Sequence, residues 1–302
     1  MAEHMWRPLE VTPEEEIKIQ EIRDGGAGRS LSEAELNRFS VGEERDFNIV
    51  TRVGDTLVHY YRPEKTAGKN IPLFINMHGG GFVKGRRDQD IVFCRNICSR
   101  SGCAILDIDY VPAPAMRYPG QVYACYDILQ HCADHAEELG IERDRIVLGG
   151  HSAGGNLTAA VILMAIDQNG FVPALQILDY AVLNNQASAL DRRNGDKNPK
   201  IPPWKSDLYQ KMYVDLEDAA EVYCSPLFAT DEQLKKMPPA LMMYCESDMF
   251  CDENAEFHMR LVKQGVPVYG KCFLHSNHGF TVQRKDEYEE AEQMILQALS
   301  VI

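Results

Sequence analysis

The residues best suited to chemistry are Gly150-His151-Ser152-Ala153-Gly154, directly after the apolar run Ile146-Val147-Leu148. Glycines two positions away on each side of the serine admit a turn too tight for side chains there. The serine is forced into a strained backbone with its oxygen at the tip, which fits a nucleophile elbow between a buried strand and a helix. A serine hydroxyl is a poor nucleophile at neutral pH and needs a base within hydrogen-bond reach, itself oriented by a carboxylate. A second feature lies upstream. His78-Gly79-Gly80-Gly81 follows the apolar run Leu73-Phe74-Ile75-Asn76-Met77 and supplies backbone amides free of side chains. A phosphate loop would need a lysine followed by serine or threonine after the glycines, and none is present.

These groups need elements to hold them. From residue 46 onward the pattern alternates strands and helices. Strands are expected over 46–52 and 56–62, an antiparallel hairpin turned at Gly54-Asp55, then over 72–77, 103–108, 145–148, 174–180, 240–245 and 266–273. Helices are expected over 88–101, 119–139, 153–168 and 252–263, with a last one from about Asp286. Apolar runs without alternation mean strands buried on both faces, hence an α/β fold with a mostly parallel sheet flanked by helices.

Two segments stand outside this alternation. Residues 12–39 are charged and helical in pattern, with Thr12 suited to a helix N-cap and Pro13 to the first turn. The run Asp24-Gly25-Gly26-Ala27-Gly28 splits them into two short helices, whose Ile17, Ile19, Ile22, Leu31, Leu36 and Phe39 must cover something. Residues 184–233 are polar and proline-bearing, with helical pieces near 206–212 and 217–222. So long an insertion in a compact domain is usually functional.

Composition excludes several function classes. The 302 residues carry 31 basic against 45 acidic side chains, a formal charge of −14, which repels a nucleic-acid backbone. Arg86-Arg87 and Arg192-Arg193 are too short for a binding patch and read as solvated loop charges. The nine cysteines are scattered without a disulfide framework; Cys94 and Cys98 have helical spacing, but no zinc set is completed, so buried free thiols are expected and no metal. No apolar run reaches signal-peptide length near Met1 to Glu10 or membrane-span length elsewhere, which with the free thiols points to the cytoplasm.

The motifs together resemble the hormone-sensitive-lipase-like branch of the α/β-hydrolase superfamily, which holds many carboxylesterases. The matching stretches are His78 to Phe82, Asp109-Tyr110 with Pro112 and Pro114, Gly150 to Leu157, Asp248 to Glu253, and His278-Gly279-Phe280. The chain order that the resemblance implies is serine, acid, histidine. Of the histidines after Ser152, His258 falls inside an expected helix, while His275 and His278 lie in the loop after the last strand; the family pattern selects His278 as the base. Asp248, in the loop after strand 240–245, becomes the acid, with Asp252 suited to a helix N-cap and Glu246 as its competitor. Ala153 is the oxyanion donor after the nucleophile, and by analogy Gly80 and Gly81 supply the other amides. His78 is expected to brace the loop.

The resemblance also implies a helical cap built from residues 1–45 and the insertion at about 184–233, over a catalytic domain spanning 46–302. Trp204, Tyr209 and Tyr213 are candidates for its pocket-facing side, or for packing between cap helices. One residue leaves the family pattern. The position before the nucleophile is usually acidic and here is His151, a neighbouring imidazole that, once cationic, would oppose protonation of His278. The expected function is a serine carboxylesterase acting on short-chain acyl esters, acetyl among them, through a covalent acyl-enzyme. No cofactor, nucleic acid or membrane is called for; the partner is a small-molecule ester, and a homodimer is left open. Amide or peptide hydrolysis by the same triad, and small-molecule binding without turnover, are the alternatives.

Overall fold

Five apolar segments, largely buried on both faces, line up side by side between two layers of helices, and a sixth, half-exposed, closes the edge. A computed structural model of the protein describes residues 9–25, 31–197 and 201–302. The glycines expected to break the N-terminal helices at 26–28, and the first residues of the chain, lie outside that set.

The chain enters through α1 (Pro13–Gly25) and α2 (Glu33–Leu36), then an antiparallel hairpin of β1 (Glu43–Thr51) and β2 (Gly54–Arg62). The hairpin turns at Arg52-Val53, because Thr51 pairs with Gly54 and Val50 with Asp55; the expected Gly54-Asp55 already belongs to β2. There follow β3 (Ile71–Met77), α3 (Asp88–Ser101), β4 (Ala104–Asp109), α4 (Gly120–Asp134), α5 (Ala136–Leu139), β5 (Ile141–His151), α6 (Ala153–Asp167) and β6 (Leu175–Asp179). After the insertion, which holds α7 (Pro203–Tyr213) and α8 (Asp231–Leu234), come β7 (Ala240–Cys245), α9 (Cys251–Lys263), β8 (Val268–Phe273), α10 (Phe280–Gln283) and α11 (Tyr288–Ser300). The helix expected over 119–139 is thus two helices, parted at His135, whose φ of −111° and ψ of 27° leave the helical range.

The eight strands run in the order β1-β2-β4-β3-β5-β6-β7-β8. From β4 to β8 every pairing is parallel. All their carboxyl ends therefore point to one edge, where loops gather and ligands bind in open α/β sheets. One cluster of buried side chains packs β3, β4 and β5 against α4 and α6, and another packs the opposite face against α3 and α11.

The N-terminal helix docks by one stripe only. Ile19 and Ile22, three apart, are buried against Val83, Ala113, Leu208 and Met212, whereas Ile17 lies on the far side and is 61% exposed. Arg23 reaches the carbonyls of Val83 and Ala113, and Lys211 of α7 holds Glu15 at 2.6 Å, so α1 joins the insertion to the loop after β3. Thr12 caps the helix reciprocally with Glu15. In the insertion, the expected helix at 217–222 is instead a series of turns closed three residues apart (Asp218 to Asp215, Glu221 to Asp218, Cys224 to Glu221). Its carboxylates are drawn outward to partners: Asp215 to Arg117 at 2.8 Å and Glu221 to the Tyr118 hydroxyl at 2.7 Å.

The arginines after the glycine loop are not solvated charges. Arg86 donates through Nε to the fully buried Asp107 of β4 at 2.6 Å and also bonds the Tyr61 hydroxyl, while Asn76 of β3 donates to the other Asp107 oxygen at 2.6 Å. Arg87 pairs with Asp90 at 3.2 Å and reaches the Gly79 carbonyl at 3.1 Å. Arg86 thus pins this loop to the sheet, and Arg87 ties it to α3 and to Gly79. Removing one partner of a buried pair leaves the other charge without compensation, so Arg86→Met should destabilise the fold by about 3 kcal/mol. Adding Asp107→Asn to it should recover part of that loss. Urea unfolding of both variants measures this; equal midpoints for Arg86→Met and wild type would show that the pair does not anchor the loop.

Candidate active site

Ser152 sits between the last residue of β5 and the first of α6, with φ 55° and ψ −114°, a backbone rarely adopted by a residue with a side chain. The turn is enforced by contact. A Cβ on Gly154 would lie 1.9 Å from the Met77 carbonyl oxygen, so α6 can begin against the end of β3 only with glycine there. Above it runs the glycine loop. A Cβ on Gly79 would meet the His151 carbonyl at 3.0 Å and the Ser152 Cβ at 3.4 Å. Gly81, at φ 61°, lies under the Tyr209 ring, which would stand 2.5 Å from any Cβ there.

The other two polar groups come from neighbouring strand ends. Asp248 follows β7, and His278 follows β8. His278 Nδ1 lies 2.6 Å from Asp248 Oδ2, and its Nε2 lies 2.8 Å from Ser152 Oγ. All three are buried, Asp248 at 1% exposure. Tyr180 and Phe250 hold the imidazole between them, with ring centroids 4.9 and 5.3 Å away. The serine, acid and histidine singled out in the sequence therefore meet in one hydrogen-bonded line. Among the described residues, none accepts a hydrogen bond from the amides of Gly80, Gly81 or Ala153.

The competing residues stand elsewhere. His275 is exposed, and His258 is half-buried on α9 beside Tyr244. Glu246 and Asp252 both pair with Arg193 at the surface. Asp252 is not the N-cap expected of it: α9 begins one residue earlier, and Phe250 occupies the cap position. His78 is fully buried, stacked on Tyr110 at 4.2 Å, with its Nδ1 2.9 Å from the Gly79 carbonyl, while the Tyr110 hydroxyl donates to the His78 carbonyl. It braces the loop.

His151 has a partner that the sequence did not reveal. Its Nδ1 lies 2.8 Å from Oδ2 of Asp179, the last residue of β6, which is fully buried. Burial pushes the Asp179 carboxyl above the ordinary carboxylate range, opposed by the His151 hydrogen bond and by the nearby charges of His151 and His278. The imidazole considered alone in the sequence thus has a carboxylate beside it. Strand pairing explains why Asp179 was missed: His151 and Asp179 are register neighbours 28 positions apart.

Above the three groups lies a cavity of about 810 Å³. Ser152, His278, Gly80, Gly81, Tyr209 and Phe250 line it. Of the three aromatic residues considered for its walls, only Tyr209 serves. Tyr213 is buried, stacked on Phe82 at 3.6 Å, and Trp204 is 49% exposed. Arg192, also at the wall, is held by the buried Glu253 at 3.2 Å, so only Arg193 of that pair is a surface charge.

In sequence and fold the chain is similar to known proteins. Residues 74–282 match the family model described as the α/β hydrolase fold. An arylesterase of Saccharolobus solfataricus is 32% identical over 83% of this chain and 80% of its own. An acetyl esterase of Salmonella paratyphi B is 28% identical over 77% of this chain and 71% of its own. An esterase of Pyrobaculum calidifontis superposes with a TM-score of 0.86 at 27% identity, covering 96% of this chain and 98% of its own. With the family model spanning well over half of its length, the chain belongs to the α/β-hydrolase carboxylesterase family.

Proposed function

We propose that this carboxylic ester hydrolase works by two acyl transfers on Ser152. Ser152 Oγ attacks the ester carbonyl carbon while its proton passes to His278 Nε2. The carbonyl oxygen becomes an oxyanion held by the amides of Gly80, Gly81 and Ala153. Collapse of this adduct breaks the bond to the alcohol, which leaves with the proton from Nε2. Water then repeats the sequence on the acyl-serine, releasing the acid and restoring Ser152. Asp248 keeps Nδ1 protonated and stabilises the imidazolium in both halves. The observation that carries this reading is the hydrogen-bonded line from Ser152 through His278 to Asp248 at the floor of the cavity.

Short acyl groups, acetyl among them, are the proposed acyl half. An acetyl esterase among the relatives supports this, as do charged side chains such as Arg38, Arg284 and Lys285 at the cavity wall, which suit a dissolved molecule better than a lipid surface. The cap is proposed to consist of the N-terminal helices and the insertion, joined through Ile19, Ile22, Leu208 and Met212. Among the described residues no helix is long and apolar enough to cross a membrane. Nine free cysteines, eight of them buried, support a reducing compartment such as the cytoplasm.

Two carboxylates four residues apart, Asp248 and Asp252, test the role of Asp248. Asp248→Asn should lower kcat by about 10⁴-fold, since the imidazole then adopts the wrong tautomer. Asp252→Asn, which breaks only a surface pair with Arg193, should stay within about twofold of wild type. Turnover of 4-nitrophenyl acetate measures both, and a dead Asp252→Asn beside an active Asp248→Asn would overturn the assignment.

The pH dependence tests the second carboxylate. Asp179 lies near enough to His278 for their charges to interact, and a carboxylate there favours the imidazolium. Without it the imidazolium is less stable, so the base stays unprotonated to lower pH. Asp179→Asn should therefore move the acid limb of the kcat/KM profile to lower pH, by about half a unit or more. A limb that stays in place would show that Asp179 serves packing alone.

A further inference from the structure

The chain as a whole is strongly acidic, with a formal charge of −14, yet the wall of its cavity is not. Among the described residues that line it, seven carry lysine or arginine side chains and one, Glu35, a carboxylate. Several of these cations are already neutralised: Arg87 by Asp90, Arg192 by Glu253 and Arg284 by Glu292. Lys84 is not. Its residue is 9% exposed, and no carboxylate or other acceptor among the described residues meets its ammonium.

Lys84 is also placed where a substrate must pass. Its amide donates to the Gly80 carbonyl at 3.0 Å, and a Cβ on Gly80 would stand 2.8 Å from the Lys84 Cβ. The side chain thus starts directly against the glycine loop and runs along the cavity wall shared with Ser152. Lys205 of α7, whose Nζ lies 5.9 Å from the Tyr209 ring centroid, faces the same space. Burial, then the nearby charges of Lys205 and Arg87, push the Lys84 ammonium down to about 8. A partly desolvated cation without a counter-charge opposes folding, and a bound anion offsets that penalty.

We propose that the cavity takes esters bearing a second, anionic group, a carboxylate, and that Lys84 is the residue that receives it. This rests on the ester-hydrolase reading and names its substrate class. The carboxylate arrives on either half of the ester: as the far end of a dicarboxylic acyl group or as part of the leaving alcohol. In both cases the reacting bond lies over Ser152 while the anion is held beside the glycine loop. The protein as a whole carries net negative charge, so a local cationic wall sets the cavity apart as a place for an anion.

Two matched pairs of soluble esters test it. The acyl arm compares the 4-nitrophenyl monoester of adipic acid with 4-nitrophenyl hexanoate; the alcohol arm compares 4-acetoxybenzoate with its methyl ester. Each rate is divided by the spontaneous hydrolysis of the same ester. In at least one pair the carboxylate ester should exceed its neutral partner in kcat/KM by on the order of tenfold, the worth of one charge-assisted hydrogen bond. The arm in which this occurs identifies the half that carries the anion. Lys84→Met should abolish the excess, and Lys84→Arg should retain it. The proposal is overturned if the neutral ester is preferred in both pairs, or if Lys84→Met keeps the wild-type ratio. Should Lys84→Met fail to fold, the wild-type ratios and Lys84→Arg still decide. Failure to hydrolyse any of the four esters would instead defeat the ester-hydrolase reading itself.

Discussion

At the end of β3 the Met77 carbonyl oxygen faces α6 so closely that a methyl group on Gly154 would meet it at 1.9 Å. That approach lets α6 begin directly on the sheet, and it forces the turn before α6 to be made by one residue, Ser152, at φ 55°. The strain there is sustained by the surrounding pairing. Ser152 donates its amide to the Asp179 carbonyl, and its own carbonyl accepts from Val182 and Asn156. The oxygen of the serine is thereby fixed at the carboxyl edge of the sheet, where β7 and β8 deliver Asp248 and His278.

Buried charge does the remaining positioning. Asp107 with Arg86 and Asn76 holds the loop after the glycines. Glu253, which accepts the Leu183 amide at 2.6 Å and pairs with Arg192, ties α9 to the segment after β6. His151 with Asp179 lies beneath the nucleophile. Each such pair is costly to break, because removing one partner leaves the other charge buried and uncompensated. Among the described residues Lys84 has no such partner, and it lies on the wall of the cavity.

Much of this was legible in the sequence, for physical reasons that differ by element. The parallel strands were visible because burial on both faces leaves an unbroken apolar run, and β7 and α3 fall on the expected bounds. Ser152 was legible because a tight turn needs glycine neighbours, and strand ends marked the loops that carry Asp248 and His278. It was the resemblance to the family, not geometry, that chose His278 over His275 in the same loop. Partners distant in sequence were not legible. Nothing local to Arg86-Arg87 distinguishes a surface pair of charges from one anchored on Asp107, and only the β5–β6 register brings Asp179 to His151. The helix expected at 217–222 failed because Asp215 and Glu221 are held by Arg117 and Tyr118, contacts that override local helical preference.

The central claim is that Ser152 forms a covalent bond with the reacting centre, with Oγ activated by His278. Treatment of the full chain with a phosphonylating reagent, followed by intact-mass and peptide mass spectrometry, reads this directly. The account predicts one adduct per chain, on Ser152, forming in step with the loss of ester hydrolysis and absent from Ser152→Ala. An adduct on another residue accompanying the loss of activity, or undiminished hydrolysis by Ser152→Ala, would contradict it.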